Sequence, residues 1–258
     1  MNLLVGTSTK MNLTSTDARV WCESVRASSR DLTGLQLFIL PPFPAIWAAR
    51  EELAGSEITW GAQDVHPEDA GAHTGDVSAP MLADLGCAYV ECGHSERRRD
   101  HGEDDGLIAL KVAAILRWEM TPILCVGEPS PGAAVAAGEF VAAQAVADLV
   151  HVAPDHLDRV VIAYEPAWAI GAGSVAAAPE HIATVHAIIR QALLGIGPAG
   201  GSARVIYGGS VSADAVAGIL SQPGVDGLFV GRAALDPAQF LQIARIASGV
   251  AATRVAAA

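Results

Sequence analysis

The feature that most constrains this fold is the alternation of eight short apolar runs with longer amphipathic segments along the 258 residues. Most of the runs are apolar almost without interruption, which is typical of strands covered by helices on both faces of a parallel sheet. The predicted strands are residues 3–7, 35–40, 58–63, 88–92, 121–126, 160–165, 204–208 and 227–231.

Helical patterns lie between these runs, with starts near residues 15, 44, 104, 133, 179, 212 and 236. Ser, Thr, Asp and Pro, which favour helix N-termini, occur at several of these starts. The segment 104–118 is expected to bury one face, formed by Leu107, Leu110, Ala114 and Ile115.

The fold class predicted from this alternation is α/β, in the form of one closed (β/α)8 barrel rather than a doubly wound sheet. No linker rich in Pro, Ser or charge separates the units, so residues 1–258 are expected to form a single domain. The last residues, about 250–258, are expected to be a frayed tail.

Composition excludes several classes of partner. Sixteen Lys and Arg against 28 Asp and Glu give a net charge of −12, which argues against nucleic acid and anionic membranes. No stretch reaches the roughly 18 apolar residues of a membrane span. The first residues lack the basic region of a signal peptide, so a cytoplasmic location is expected.

The cysteines, Cys22, Cys87, Cys92 and Cys125, are too scattered for a disulfide scaffold and are expected to be buried free thiols.

Polar residues recur where the predicted strands end. Lys10 follows the first strand, His94 follows the fourth, and Glu165 ends the sixth. Glycine-rich turns, 208–210 and 231–233, follow the seventh and eighth strands. In a closed barrel the carboxyl ends of all strands open at one mouth, so these residues are expected to converge.

These residue types fit proton transfer beside the carbonyl group of a sugar phosphate. A carboxylate such as Glu165, partly excluded from water, has a raised pKa and becomes a competent base. His94, beside a helix start, is expected to be a neutral N–H donor, and Lys10 supplies positive charge for an enediolate. Backbone N–H groups of the glycine-rich turns can hold a phosphate. Each residue alone has an ordinary structural explanation, but their placement at successive strand ends favours a common site.

Three segments resemble the signature segments of the triosephosphate isomerase family: Val90-Glu91-Cys92-Gly93-His94-Ser95-Glu96-Arg97-Arg98, residues 163–171 (AYEPAWAIG) and residues 207–211 (YGGSV). Residues 61–75 and 122–128 are similar to the same family, and the resemblance runs in order along nearly the whole chain. It implies a TIM barrel in which Glu165 is the base, His94 the electrophile and Lys10 the electrostatic partner, with Glu96 as the nearby carboxylate.

The resemblance also implies a mobile lid, residues 166–176, in which Pro166 is a stiff hinge, Trp168 an aromatic anchor and Gly173 part of the moving segment. The residues expected to bind substrate or phosphate are Ser8, Gly171, Ser210, Gly231 and Arg232.

Assembly and cofactors follow from the same resemblance and from the residue spacing. The family implies a homodimer in which residues 63–81 form an interdigitating loop and Thr74 reaches the site of the neighbouring copy. The expected partners are therefore a small sugar phosphate and a second copy of the chain. No metal or organic cofactor is expected, because no His, Asp or Cys cluster shows ligand spacing and the chemistry moves only protons.

Three departures from the family bear on the substrate. Ser8 and Thr9 stand where Asn-Trp is usual, Arg232 follows Gly231 where Gly-Gly is usual, and the lid reads Ala-Gly-Ser-Val at 172–175 where Thr-Gly-Lys-Thr is common. Related isomerases of four-carbon ketose phosphates share several such features.

Three hypotheses are open at this point. The favoured one is isomerisation of dihydroxyacetone phosphate to glyceraldehyde 3-phosphate through an enediolate, the reaction of glycolysis and gluconeogenesis. The alternatives are the same chemistry on a tetrulose (erythrulose) phosphate, and a non-catalytic phosphosugar-binding barrel. The intact trio of Lys10, His94 and Glu165 counts against the last.

Overall fold

The computed structural model describes residues 2–171, 173 and 175–257, and these form a closed barrel of eight parallel strands surrounded by helices. Strands that follow one another in the chain are neighbours in the barrel, and the eighth pairs with the first to close it. The strands are β1 (Leu3–Ser8), β2 (Leu35–Leu40), β3 (Thr59–Ala62), β4 (Tyr89–Cys92), β5 (Thr121–Val126), β6 (Val161–Tyr164), β7 (Arg204–Tyr207) and β8 (Gly227–Val230). The predicted (β/α)8 barrel is confirmed.

Helices connect the strands around the outside of the barrel. They are α1 (Ser15–Ser28), α2 (Ile46–Leu53), α3 (Ala79–Asp84), α4 (Ser95–His101), α5 (Asp105–Arg117), α6 (Ala134–Asp148), α7 (Pro179–Ile196), α8 (Ala213–Leu220) and α9 (Pro237–Ala257). Short 3-10 helices, Lys10–Asn12, Ala167–Ala169 and Arg232–Leu235, follow β1, β6 and β8 at the mouth of the barrel. In the part of the chain that the structure describes, no helix has the length and hydropathy of a membrane span.

The sequence-based helices need two corrections. Helices α3 and α4, which are short, were not predicted. On α5, Ala114 and Ile115 are buried as predicted, but Leu110 is 48% exposed, and Ile108 and Val112 belong to the buried face. Helix α9 extends to Ala257, into the segment expected as a tail, and fraying of that segment stays a prediction.

Tertiary contacts explain why α9 continues. The guanidinium group of Arg254 donates hydrogen bonds to the carbonyl oxygens of Val225 (3.1 Å) and Leu220. Ala251 is buried, and a Cβ atom at Gly34 would lie 2.8 Å from its methyl group. The end of α9 is thus held against the loops before β2 and β8, which Ala-rich composition alone does not reveal.

Alternation along the strands divides the buried side chains into two groups. One fills the barrel interior, and the other packs between the strands and the helices. The interior group consists of Leu4, Phe38, Leu40, Tyr89, Ile123, Cys125, Val161, Ala163, Ile206 and Phe229. Gly6 makes room for Phe38, since a Cβ atom at Gly6 would lie 2.2 Å from the ring. The same alternation directs Glu91, two residues after Tyr89, and Glu165, two residues after Ala163, into the barrel.

A buried ionic cluster outside the barrel joins α4 and α5 to the loop after β3. Lys111 Nζ lies 2.6 Å from both Asp64 Oδ1 and Glu103 Oε1. Arg97 contacts the same two carboxylates, at 2.6 Å from Glu103 and 2.9 Å from Asp64. We call these four residues the Lys111 network. Each buried carboxylate in it has a cationic partner, as burial of charge requires.

Candidate active site

A cavity of about 630 Å³ opens at the carboxyl ends of the strands and brings together most of the predicted site residues. Its lining includes the predicted catalytic residues Lys10, His94, Glu96 and Glu165. The predicted binding residues in the lining are Ser8, Gly171, Ser210, Gly231 and Arg232, together with Gly173 of the predicted lid. The sequence-based expectation of convergence is therefore met by residues from the ends of five strands, β1, β4, β6, β7 and β8, or from the connections that follow them.

Lys10 enters the cavity from a strained turn after β1. Its φ of +51° lies in the left-handed region, which a residue with a side chain adopts at a cost of about 1 kcal/mol or more. Gln63 Nε2 stabilises this turn by donating to the carbonyl oxygens of Lys10 (3.2 Å) and Leu40 (2.9 Å). The turn aims the ammonium group at Glu96 Oε1, 2.8 Å away.

The Lys10–Glu96 pair keeps Glu96 ionised. Burial alone raises the pKa of Glu96, but the hydrogen bond from Lys10 and the positive charges of Lys10 and Arg99 outweigh it and hold that pKa below its ordinary value. Because both side chains are partly exposed, the pair fixes the position of the ammonium group more than it stabilises the fold.

His94 presents a neutral N–H to the cavity. It caps α4, and its Nδ1 accepts a hydrogen bond from the backbone N–H of Glu96 at 3.0 Å. In the neutral ring the proton is therefore on Nε2, the atom that faces the cavity. Burial first, and the positive charge of Lys10 second, lower the pKa of His94 to about 4. The helix start that motivated the prediction sets the tautomer, whereas burial is the main cause of neutrality.

Glu165 lies directly after β6 and is nearly inaccessible, with 5% of the residue exposed. Its Oε2 lies 3.4 Å from His94 Nε2. Burial, followed by the negative charge of Glu91, raises the pKa of Glu165 to about 8. The buried carboxyl of Glu165 is tolerated because its raised pKa favours the uncharged, protonated form near neutral pH, so that no counterion is needed.

Two glycines leave the space that Glu165 occupies. A Cβ atom at Gly208 would lie 2.5 Å from Glu165 Oε1, and one at Gly127 would lie 1.9 Å from the Glu165 carbonyl oxygen. Both glycines belong to segments that carry the family resemblance, 207–211 and 122–128. Any larger residue at either position would displace the carboxylate.

The predicted lid is anchored at its first turn. Pro166 precedes the 3-10 helix Ala167–Ala169, and Trp168 Nε1 donates to Glu128 Oε1 at 2.7 Å. The hydroxyl of Tyr164 donates to the same oxygen at 3.1 Å. Gly173 is exposed with a φ of +79°, a conformation that favours glycine. The lid departures Ala172 and Ser174 lie outside the described residues.

The glycine-rich turns after β7 and β8 face the cavity from the side opposite Glu96. The hydrogen bonding of one backbone N–H in these turns differs from the expectation that it is available to a phosphate. The backbone N–H of Ser210 donates to the carbonyl oxygen of Ala169 at 2.9 Å, so it ties the turn to the lid in this structure. Arg232 is exposed and begins the 3-10 helix Arg232–Leu235. Gly231 has a φ of −83°, so this turn needs no left-handed residue.

Two buried acidic residues near the site were missed by sequence reasoning. Glu91 lines the cavity from β4 and is 2% exposed. Glu128 follows β5 and is 4% exposed. The available signal was a Glu inside or directly after an apolar run, as in Val90-Glu91-Cys92 and Val126-Gly127-Glu128.

One group of side chains has the spacing of metal ligands. His66, His73 and Asp76 place ligand atoms within 4.8 Å of one another, a clustering that sequence spacing did not predict. His66 Nδ1 accepts the backbone N–H of Glu68 at 3.1 Å, which leaves the ring proton on Nε2, facing Asp76 at 3.7 Å. That nitrogen is a hydrogen-bond donor here, so the cluster fits an ion-paired loop better than a metal site.

Thr74 is exposed and is not among the residues that line the cavity of its own chain. Its predicted role in a neighbour's site requires a second copy.

Comparisons with known proteins agree with the resemblance. A family model described as "Triosephosphate isomerase" matches residues 3–247. A protein named triosephosphate isomerase from Thermus thermophilus is 45% identical over 95% of this chain and 98% of its own length. Proteins of the same name are 43% identical in Roseiflexus sp. (91% of this chain, 93% of theirs) and 40% identical in Mycobacterium avium (95% and 97%).

Proposed function

Because this chain belongs to the triosephosphate isomerase family, we propose that it interconverts dihydroxyacetone phosphate and glyceraldehyde 3-phosphate as an aldose–ketose isomerase. The observation that carries the proposal is the pairing of Glu165 with His94: an unpaired, buried carboxyl 3.4 Å from a neutral imidazole N–H, at the mouth of a barrel. This pairing supplies a base and a hydrogen-bond donor to one small molecule.

The proposed reaction moves protons between adjacent carbons. Ionised Glu165 removes a proton from C1 of the ketose, and the C–H electron pair becomes the C1–C2 double bond of an enediolate. The Nε2–H of His94 donates to the oxygens that carry the developing charge, and Lys10 offsets that charge at short range. Return of the proton from Glu165 to C2, with transfer of a hydroxyl proton between the two oxygens, gives the aldose.

The remaining cavity residues are proposed to hold the phosphate and exclude water. Gly171, Ser210 and Gly231 would offer backbone N–H groups as the lid closes, and Arg232 would add a guanidinium at the rim. Pro166 and the Trp168–Glu128 hydrogen bond support a lid that moves about a fixed first turn.

The proposed assembly is a homodimer, the state expected for the family. Exposed Thr74 lies on segment 63–81, and Met11, beside Lys10, is 97% exposed. An unbranched apolar side chain exposed to that extent next to a catalytic residue favours coverage by a second copy. A cytoplasmic location and a role in glycolysis and gluconeogenesis remain predictions of the sequence.

A four-carbon ketose phosphate is the second candidate substrate. Ser8, which stands where the family has a larger amide, and Arg232 both line the cavity. The short side chain of Ser8 would leave room in the cavity for one more carbon of substrate.

The decisive experiment compares kcat/KM for glyceraldehyde 3-phosphate and for erythrulose phosphates on one preparation. The proposal predicts a higher value for the triose, and loss of both activities in Glu165→Gln. A ratio that strongly favours the four-carbon compounds would replace the substrate assignment, and full activity in Glu165→Gln would remove the assigned base.

A further inference from the structure

Among the described residues, the barrel interior contains one carboxyl group that the proposed reaction does not use. Glu91 occupies an inward position of β4, paired in register with Ile123, in a group of side chains that is otherwise almost entirely apolar. Its Oε2 is buried and has no hydrogen-bond partner among the described residues. An unpaired carboxyl in such surroundings costs several kcal/mol if it ionises.

Glu91 and Glu165 both lie near one side chain, that of Cys125. The thiol of Cys125, on the next strand, donates to Glu91 Oε1 at a sulfur–oxygen distance of 3.8 Å, and Cys125 and Glu165 line the same small cavity. Burial raises the pKa of the Cys125 thiol well above its ordinary value, so the thiol keeps its proton and serves as a donor. We call Glu91, Cys125 and Glu165 the pocket floor.

Charged groups from the surrounding elements do not neutralise the pocket floor. Lys10 is the cation that acts on both carboxyls, and it is already bonded to Glu96. Glu96 and Asp64 add negative charge near Glu91, His94 is neutral, and the Ser8 hydroxyl hydrogen-bonds to Glu91. Within the described residues, Glu91 therefore has no counterion of its own, and its charge is the largest effect on Glu165 after burial.

We propose that Glu91 is a positioning residue that acts through the base: Glu91 and Glu165 form a coupled pair on either side of the Cys125 thiol, in which ionisation of one carboxyl disfavours ionisation of the other. This inference rests on the proposed function of Glu165. Glu91 loses its proton first, its negative charge then holds the remaining proton on Glu165, and the enzyme is active once that proton has also left.

The titration of both groups agrees with such a pair. Burial raises the pKa of Glu91 to about 7, and burial together with the charge of Glu91 raises that of Glu165 to about 8. A base with a raised pKa removes a carbon-bound proton more readily once it is ionised, at the cost of a lower ionised fraction at neutral pH. The pair thereby makes Glu165 a stronger base and shifts activity to more alkaline pH.

A direct contact between Glu91 and a substrate hydroxyl is the competing explanation. The 2% exposure of Glu91 and the inaccessibility of its Oε2 argue against it, because a ligand reaching that oxygen would have to displace the interior layer. The two explanations predict different kinetics.

The test is the pH profile of kcat/KM for Glu91→Gln with glyceraldehyde 3-phosphate. The pair predicts that the midpoint of the acid limb falls by about one pH unit or more, and that kcat on the alkaline plateau decreases about threefold because the base is weaker. Glu91→Asp, which keeps the charge, should retain most of the raised midpoint.

Asp148→Asn is the matched control. Asp148 is also a fully buried carboxyl whose pKa burial raises to about 7, but it pairs with Arg98 at 2.6 Å on α6, away from the cavity. Its neutralisation should leave the kinetic midpoint unchanged. A midpoint that does not move in Glu91→Gln overturns the proposal, and so does a raised KM with an unmoved midpoint, which would assign Glu91 to substrate contact.

An infrared titration of the protonated carboxyl groups keeps the proposal testable apart from turnover. In Glu91→Gln, the step assigned to Glu165 should move to lower pH than in the unaltered protein, because its negative neighbour is gone. An unmoved step overturns the coupling. If the unaltered protein lacks isomerase activity, the proposed function fails on its own, and the infrared titration still decides whether the two carboxyls interact.

Discussion

The chain contains two buried acidic clusters, and they solve the problem of burial in opposite ways. In the Lys111 network, Asp64 and Glu103 share two cations at 2.6–2.9 Å. At the pocket floor, Glu91 and Glu165 lie near the Cys125 thiol. The network keeps its charges by pairing them, whereas the floor keeps its carboxyls protonated near neutral pH.

The contrast shows in the pKa values. Burial acts to raise the pKa of Glu103, but the hydrogen bond and charge of Lys111 reverse it, so that this pKa lies below its ordinary value. For Asp64, burial outweighs the charge of Lys111 and raises the pKa. Glu165 combines burial with the negative charge of Glu91, and its pKa rises to about 8.

The two buried histidines show that a shifted pKa alone does not mark a site. Burial lowers the pKa of both His94 and His186 to about 4. His186 bonds the carbonyl oxygen of Gly224 at 3.1 Å on the outer side of the barrel, whereas His94 faces Glu165. Position at the mouth separates the proposed electrophile from a structural histidine.

Removing the cation of the Lys111 network should give the largest effect on stability. Lys111→Met leaves Asp64 and Glu103 buried with only Arg97, and we expect the free energy of unfolding to fall by about 3–5 kcal/mol in chemical denaturation. Lys10→Met, the control at a partly exposed pair, should cost under about 1 kcal/mol of stability yet abolish most activity. Equal losses of unfolding free energy in the two variants would contradict the claim that buried carboxylates depend on their cation for stability more than exposed ones do.

Shortening the base comes next. Glu165→Asp retracts the carboxylate by about 1 Å, and we expect kcat to fall by about 10²-fold or more, with the inhibition constant for inorganic phosphate nearly unchanged. Glu180→Asp, at an exposed position in the first turn of α7, is the matched control and should leave kcat unaltered. A decrease of less than about tenfold in Glu165→Asp would contradict the role of Glu165.

The pH dependence of stability should reveal the buried carboxyls whose pKa is raised. Glu91, Asp148 and Glu165 have raised pKa values, so the folded state binds more protons than the unfolded state above about pH 4.5, and stability falls as pH rises to about 8. Between pH 4 and 6.5 the lowered pKa values of His94 and His186 act in the opposite direction.

The clear window is therefore above pH 6.5, where the histidines no longer contribute. There, urea denaturation should show an unfolding free energy that decreases towards pH 8.5, by on the order of 1–2 kcal/mol per carboxyl. Glu91→Gln should flatten this decrease. A flat profile in the unaltered protein would mean that the floor carboxyls ionise as easily in the folded chain as in the unfolded one.

The smallest effect is expected at the exposed rim. Arg232→Ala should weaken inhibition by inorganic phosphate about threefold at low ionic strength, with the difference vanishing at high salt, because an exposed charge is screened. Arg245→Ala on the exposed side of α9 is the control and should change nothing. An effect that persists in high salt would indicate a direct, desolvated contact.

The parts of this molecule that sequence alone predicted are those encoded by local pattern. Apolar runs gave the eight strands, and the common orientation of strand ends placed Lys10, His94 and Glu165 at one mouth. The contacts that sequence did not predict join distant residues. Trp168 reaches Glu128 across 40 positions, and Gln63 holds the strained turn of Lys10 across 53.

Glu91 lies between these cases. Alternation with Tyr89 predicts that it faces inward, but its significance depends on Cys125 and Glu165, which only the closed barrel brings beside it. The helical end of α9 is similar, since Arg254 finds its acceptors on the loop before β8. The local sequence pattern predicts whether a side chain faces the barrel interior, whereas closure of the barrel determines which residues that side chain contacts.

The most direct test of the central claim is the acid limb of the pH profile for the unaltered protein. The profile should be recorded as kcat as well as kcat/KM for glyceraldehyde 3-phosphate, because the substrate phosphate itself titrates near pH 6. If Glu165 is buried beside Glu91 without a counterion, the acid limb of kcat/KM should have a midpoint near pH 8, above the pH at which the substrate phosphate titrates. A limb explained entirely by the phosphate, with the base still ionised at pH 5, would contradict it.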